Sequence, residues 1–153
     1  MTQKKALLPA LLVAIVIIGI DQLTKYWVLN YVTDWYVVNN YLSFEVVFNR
    51  GVSWGLFHSA YYWPFLLVSM LSGAFIVGMS LFTWWQWRFG YSILAETMVL
   101  AGAISNMIDR IIYKGVVDFI ALTYNGWSWP VFNIADCCIV LGTFLIFVKL
   151  NKQ

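Results

Sequence analysis

Two of the seven acidic side chains in this sequence, Asp118 and Asp136, stand without an obvious cationic neighbour. Lys25 follows Asp21 by four residues, and Arg110 follows Asp109 directly, so the nearest cations already have acids of their own. Two carboxyls left together in a partly dry place cannot both ionise easily, so one keeps a proton and the other does not. Such a pair can activate a water and protonate a departing amine, with no metal and no cofactor. Other hydrolytic chemistry fits less well. His58 is the only histidine and lies far along the chain from these acids, which argues against a Ser-His-Asp arrangement. Cys137 and Cys138 are adjacent, a spacing that disfavours an unstrained disulfide, and no metal-ligand spacing surrounds them.

The elements that position these residues must be read against an unusual composition. The chain has 153 residues, 62% hydrophobic and only 10% charged, with 19% aromatic residues. Its mean hydropathy is +0.78. Soluble domains carry about 25% charged residues, so lipid is the expected solvent, and the aromatic excess suits bilayer interfaces. A net charge of +2 leaves no basic surface suited to nucleic acid. Lys4 and Lys5 precede an apolar run as in a signal peptide, but that run meets Asp21, Gln22, Thr24 and Lys25 rather than a small-residue cleavage site. It is read as a retained first helix.

Four apolar stretches approach the ~20 residues that a spanning helix needs. They cover about 6–29, 62–82, 93–112 and 131–148. The expected fold is a single all-α membrane domain over 1–153, four transmembrane helices with a small extracytoplasmic β-element. Lys4, Lys5, Arg88, Lys149 and Lys152 fall on one side, and Arg50 and Lys114 on the other. By the positive-inside rule both termini are cytoplasmic and the two longer connections face outward. In the first of these, Leu42, Phe44, Val46 and Phe48 alternate with Ser43, Glu45 and Val47, a half-buried strand pattern after a turn at Asn39-Asn40. In the second, a β-branched and aromatic run over 116–124 precedes Asn125-Gly126, a hairpin turn signal.

This topology brings Asp21, Lys25, Asn106, Asp109, Arg110, Asp118, Asn133 and Asp136 to one depth near the outer leaflet. Charge at the centre of a spanning helix costs about 2.5–3.5 kcal/mol per residue. Simple solvation of helix ends would scatter polar residues at both surfaces instead. Bland readings stand beside the functional one. Asp21 with Lys25 reads as a structural ion pair. Asp109 with Arg110 is as well explained by interfacial anchoring as by substrate binding. Asn106 and Asn133 suit interhelical hydrogen bonding. Glu96 is expected to face headgroups at the inner surface, Trp84, Trp85, Trp87 and Arg88 to form an interfacial belt, and His58 to lie at a surface.

Five stretches carry a resemblance. They are Asp21-Gln22-Leu23-Thr24-Lys25, the run from Phe48-Asn49-Arg50-Gly51 to Val52-Ser53-Trp54-Gly55, the run from Gly102 to Asn106-Met107-Ile108-Asp109-Arg110, Val117-Asp118-Phe119, and Phe132-Asn133-Ile134-Ala135-Asp136 with Gly142 beyond. Together, in this order, they resemble the lipoprotein signal peptidases (signal peptidase II) across nearly the whole chain. The resemblance implies an aspartic endopeptidase of the bacterial cytoplasmic (inner) membrane. It would cut the signal peptide from diacylglyceryl-modified prolipoproteins, just before the lipidated cysteine. It implies Asp118 and Asp136 as the catalytic pair, with Asn49, Asn106, Asp109, Arg110 and Asn133 positioning substrate or bracing the pair. Asp21 and Lys25 would serve structure. Membrane lipid and prolipoprotein are then the partners, no cofactor is required, and a monomer is expected. Ser105 stands where the family usually has glycine, Trp54 where it has phenylalanine, and Val52-Ser53 where smaller residues are common. Two other classes compete: a proton-coupled transporter, disfavoured because no repeat is visible and the acids lie off the midplane, and a non-enzymatic membrane scaffold.

Overall fold

The structure is a computed structural model and describes residues 3–33, 35–51 and 62–151, with side chains from 7 in the first segment and from 63 in the last. Val52, Ser53, Trp54 and His58 lie outside the described residues, as do the side chains of Lys4, Lys5 and Lys152. The order of elements is α1 (Gln3–Tyr31), β1 (Trp35–Val37), β2 (Leu42–Asn49), α2 (Tyr62–Arg88), α3 (Leu94–Tyr113), β3 (Val116–Tyr124), β4 (Trp127–Phe132) and α4 (Ile134–Leu150). The fold is therefore mostly helical with a four-stranded antiparallel sheet, in strand order β1-β2-β3-β4.

Polarity is arranged inside out. Leu8, Ile15, Leu23, Leu71, Leu81, Val140, Phe144 and Phe147 are exposed, whereas Asp21, Lys25, Glu96, Ser105, Asp109 and Asn133 are almost wholly buried. A water-soluble fold would reverse this, because burying charge costs more than exposing apolar surface. Two helices, over Leu7–Tyr31 and Trp63–Arg88, are long and apolar enough to cross a membrane, each at a mean hydropathy of 2.2. α3 carries Glu96, Asp109 and Arg110, and α4 has 17 residues, about 25 Å of helix.

Close packing of α3 on α4 depends on two glycines. A Cβ on Gly102 would lie 2.6 Å from the Ala135 carbonyl oxygen, and one on Gly142 would lie 2.8 Å from the Ala95 carbonyl oxygen. Small residues at such contacts let helix backbones approach where no hydrophobic force drives association. α1 packs against α3 and also touches α4. Lys149 near the end of α4 reaches Glu96 and the Ser92 carbonyl at the start of α3, so α4 runs opposite to α3.

The sheet sits on the ends of the helices where the polar residues gather. Val28 of α1 and Val32 just beyond its end pack with Val117 and Phe119 of β3, and Leu29, Phe44, Val46, Ile120 and Ile134 pack against them. α3 passes into β3 through Lys114 at φ 59°, and the β3–β4 hairpin turns at Asn125 (φ 49°) and Gly126 (φ 77°), as the Asn-Gly pair predicts. Asn39 accepts backbone N–H bonds from Tyr41 and Leu42, making the expected turn before β2.

Several expectations need correction. α4 begins at Ile134 rather than near 131, because Phe132 pairs with Ile120 in the sheet and Asn133 caps the helix. α2 continues to Arg88, so Trp84, Trp85 and Trp87 belong to its last turns. Ser43 is buried, paired between Val37 of β1 and Ala121 of β3, and a register shift between Phe44 and Val47 interrupts the alternation farther along β2. Glu96 does not face headgroups: it is fully buried, 2.7 Å from Lys149.

Candidate active site

Asp118 lies near the start of β3, opposite Val47 of β2, and Asn49 is opposite Val116. Residues two apart on a strand share a face, so Asn49 reaches diagonally to the Asp118 carboxyl and donates to Oδ2 at 3.0 Å. Asn133 donates to the other oxygen, Oδ1, at 2.6 Å. Asp136 enters from α4. With Asn133 it forms a reciprocal capping box: the Asn133 side chain accepts from the Asp136 backbone N–H, and Asp136 Oδ2 accepts from the Asn133 backbone N–H. Asn106 on α3 donates to Asp136 Oδ1 at 2.9 Å.

The three asparagine amides are all oriented by groups that can only donate. Lys25 Nζ donates to Asn106 Oδ1 at 2.9 Å, the Gly51 N–H to Asn49 Oδ1 at 2.9 Å, and the Asp136 N–H to Asn133 Oδ1 at 2.9 Å. With each amide oxygen so engaged, each NH2 must point at a carboxyl. Both aspartates are thus held in fixed rotamers by donors from β2, α3 and the α4 cap.

Burial pushes the Asp118 carboxyl up to about 7, the Asp136 carboxylate adds to this, and bonds from Asn49 and Asn133 and the Lys25 charge offset only part of it. Asp118 and Asp136 line one cavity of about 570 Å³. Its other walls are Trp129, Pro130, Val131 and Phe132 of β4 and Cys137, Val140, Leu141 and Phe144 of α4. The two acids therefore form the polar end of an apolar groove.

Beneath them lies a charged cluster. Lys25 sits 2.6 Å from Asp21 and 2.7 Å from Asp109, all three almost fully buried. Asp21 also accepts from the Ala135 N–H at 2.8 Å and the Ser105 hydroxyl at 2.7 Å, so α1 caps the start of α4 through space. Asp109 accepts from the Val117 N–H and from Gln22. Its ionic partner is thus Lys25, not its neighbour Arg110. Arg110 donates from Nη2 to the Gly51 carbonyl at 2.7 Å and interacts electrostatically with Asp118 and Asp136 as well as Asp109. The notion that Asp109 occupies Arg110 fails for this reason.

All nine residues singled out in the sequence therefore fall in one connected region. Gln22 and the cavity wall of Cys137, Val140, Leu141 and Phe144 were not foreseen there. The i, i+3, i+4, i+7 spacing of that wall marks one helix face. Among the described residues no group of three or more His, Cys, Asp or Glu is arranged to hold a metal ion.

An inside-out helical protein with two buried acids at the head of an apolar groove belongs to the class of membrane-embedded enzymes. Comparison with known proteins narrows this. Residues 13–152 match the family model described as signal peptidase (SPase) II. Relatives named lipoprotein signal peptidase include one from Clostridium acetobutylicum, 34% identical over 90% of this chain and 90% of its own. Another, from Pseudoalteromonas atlantica, is 30% identical over 92% of this chain and 87% of its own. Two solved structures, both described as a bacterial membrane enzyme, are similar. One has a TM-score of 0.76 at 25% identity, covering 94% of this chain and 88% of its own. The second has a TM-score of 0.75 at 26% identity, covering 95% and 94%. The chain belongs to the signal peptidase II family, and is thus a peptidase of the membrane.

Proposed function

We propose that this protein is an intramembrane aspartic endopeptidase that removes the signal peptide from diacylglyceryl-modified prolipoproteins, cutting before the lipidated cysteine. The observation that carries the reading is the pairing of Asp118 and Asp136 in one apolar-walled cavity, each carboxyl fixed by an oriented amide. The names of the relatives supply the lipoprotein substrate.

In this mechanism the two acids share one proton; burial, which pushes the Asp118 carboxyl up to about 7, draws it towards Asp118, and Asp136 then acts as the carboxylate. Asp136 takes a proton from water as its oxygen attacks the scissile carbonyl carbon, and Asp118 protonates the carbonyl oxygen. The resulting diol collapses: the C–N bond breaks, Asp136 passes its proton to the departing amine, and a diol hydroxyl returns a proton to Asp118. Arg110 positions the peptide, and Asn49 braces Asp118. The apolar wall accepts the lipid-borne part of the substrate and limits water.

All four helices span the bilayer of the bacterial cytoplasmic (inner) membrane, and 1–153 is one domain. Both termini lie in the cytoplasm, and the sheet and dyad lie near the outer leaflet. Lys149 at the opposite end from the sheet supports this orientation. The monomer is taken as the working unit, since the paired acids come from one chain. The test is to incubate purified protein with diacylglyceryl-modified and unmodified prolipoprotein and identify products by mass spectrometry. The expected product is a lipidated chain beginning at cysteine, from the modified substrate only. Equal cleavage of both, or cleavage elsewhere, contradicts the reading.

A further inference from the structure

Lys25 does more than pair with Asp21. Its three ammonium hydrogens meet three acceptors: Asp21 Oδ2 at 2.6 Å, Asp109 Oδ2 at 2.7 Å and Asn106 Oδ1 at 2.9 Å. At 1% exposure the group has no solvent to turn to. Two carboxylates would suffice for an ion pair. The third bond goes to a neutral amide whose other end holds Asp136.

We propose that Lys25 is a positioning residue for hydrolysis, acting through Asn106 to hold the Asp136 carboxyl. This rests on the reading of Asp118 and Asp136 as the reacting pair. An amide in a polar site can flip, exchanging an NH2 for an oxygen at nearly the same place. If Asn106 flipped, it would set an oxygen against Asp136 Oδ1, two acceptors face to face. Lys25 prevents this, because an ammonium only donates and so requires the amide oxygen on its side.

The competing partner is weak. Asn133 Nδ2 also reaches Asn106 Oδ1 at 3.2 Å, but its two hydrogens are shared with Asp118 Oδ1 at 2.6 Å and the Val117 carbonyl at 3.4 Å. Lys25 therefore makes the shorter, charge-assisted contact with that oxygen. The relay also ties α1 to the reacting end of α4, which α1 touches again through Asp21 and the Ala135 N–H. Burial separates this role from substrate binding: with its three hydrogens all engaged inside the fold, Lys25 has none left for a substrate.

The experiment is a double-mutant cycle on lipidated prolipoprotein with Lys25→Gln, Asn106→Ala and the combination, each checked for monodispersity and thermal unfolding. Lys25→Gln leaves two buried carboxylates facing each other. Lys25→Gln/Asp109→Asn keeps the net charge of the cluster, and is compared with Asp109→Asn alone if the single variant fails to fold. Loss of the relay should lower kcat by ~100-fold, the scale of a misplaced reacting group, with KM within about twofold. In the Asn106→Ala background the same substitution should cost less than about threefold. Multiplicative losses in the combined variant, or a loss carried by KM, overturn the proposal. A wild type that cleaves while Lys25 and Asn106 act independently sinks this inference alone. A folded wild type that leaves lipidated substrate intact sinks the functional reading beneath it.

Discussion

Replacement of Gly102 by alanine tests whether helix contact sets the geometry of the reacting pair. The added Cβ would lie 2.6 Å from the Ala135 carbonyl oxygen and 2.8 Å from Ile139 Cγ1, where ordinary contact begins at 3.4 Å. The first partner is backbone at the start of α4 and cannot swing aside, so α3 and α4 must part by about 0.8 Å. Asn106 lies one turn beyond Gly102 on the same helix face. The same parting applied to its 2.9 Å bond to Asp136 Oδ1 carries that contact past 3.5 Å, where little hydrogen bonding remains. Overpacking of this kind costs about 1–3 kcal/mol, and loss of placement at a reacting group costs about 100-fold in rate. Gly142→Ala meets a similar clash, 2.8 Å from the Ala95 carbonyl oxygen, but lies six residues past Asp136 on α4. It should lose comparable stability with a smaller loss of kcat. Gly78→Ala meets nothing within 4 Å and should stabilise α2 by about 0.5–1 kcal/mol. Thermal unfolding in detergent and steady-state cleavage of a lipidated substrate read both quantities. A Gly102→Ala protein with wild-type melting and wild-type kcat would refute the reasoning.

Asp118 should make stability depend on pH. Its carboxyl rises from 3.8 to about 7 on burial, so the folded state holds the proton more tightly than the unfolded one. Its contribution is fully present below about 4 and is lost as pH rises through about 7. Asp118→Asn should therefore melt above wild type at pH 8, the gap closing towards pH 4; a constant gap across this range would contradict the assignment. Activity should fall on the alkaline side of about 7 as the donor ionises, which a pH profile of kcat measures, its apparent value belonging to the coupled pair. At the far end of the bundle, Lys149→Met should strand the buried Glu96 carboxylate, whose Oε2 has no partner among the described residues. A loss of about 3–5 kcal/mol is expected, visible as a lowered melting temperature with unchanged KM.

The polar residues of α1, α3 and α4 were legible in sequence because charge in an apolar run needs a reason, and helix direction alone brings them to one depth. The β3–β4 hairpin was legible from Asn125-Gly126. What was not legible depends on contacts across long stretches of chain. Asn49 reaches Asp118 over 69 residues, and Gln22 reaches Asp109 over 87; no local pattern announces either bond. Adjacency in sequence suggests Arg110 as the partner of Asp109, but helix neighbours one apart point in different directions, and Lys25 from α1 fills that place. β1 was missed because its three residues, Trp35–Val37, are all exposed and show no alternation. Glu96 reads as facing headgroups from its place near one end of α3, and its partner Lys149 lies 53 residues away.

The central claim is that Asp118 and Asp136 act together on water. Single-turnover cleavage of diacylglyceryl-modified prolipoprotein by wild type, Asp118→Asn and Asp136→Asn, each shown to be folded by thermal unfolding, tests it most directly. The account predicts that wild type cuts before the lipidated cysteine and that each variant binds substrate but loses cleavage by at least about 100-fold. Near-normal turnover by either folded variant would contradict it.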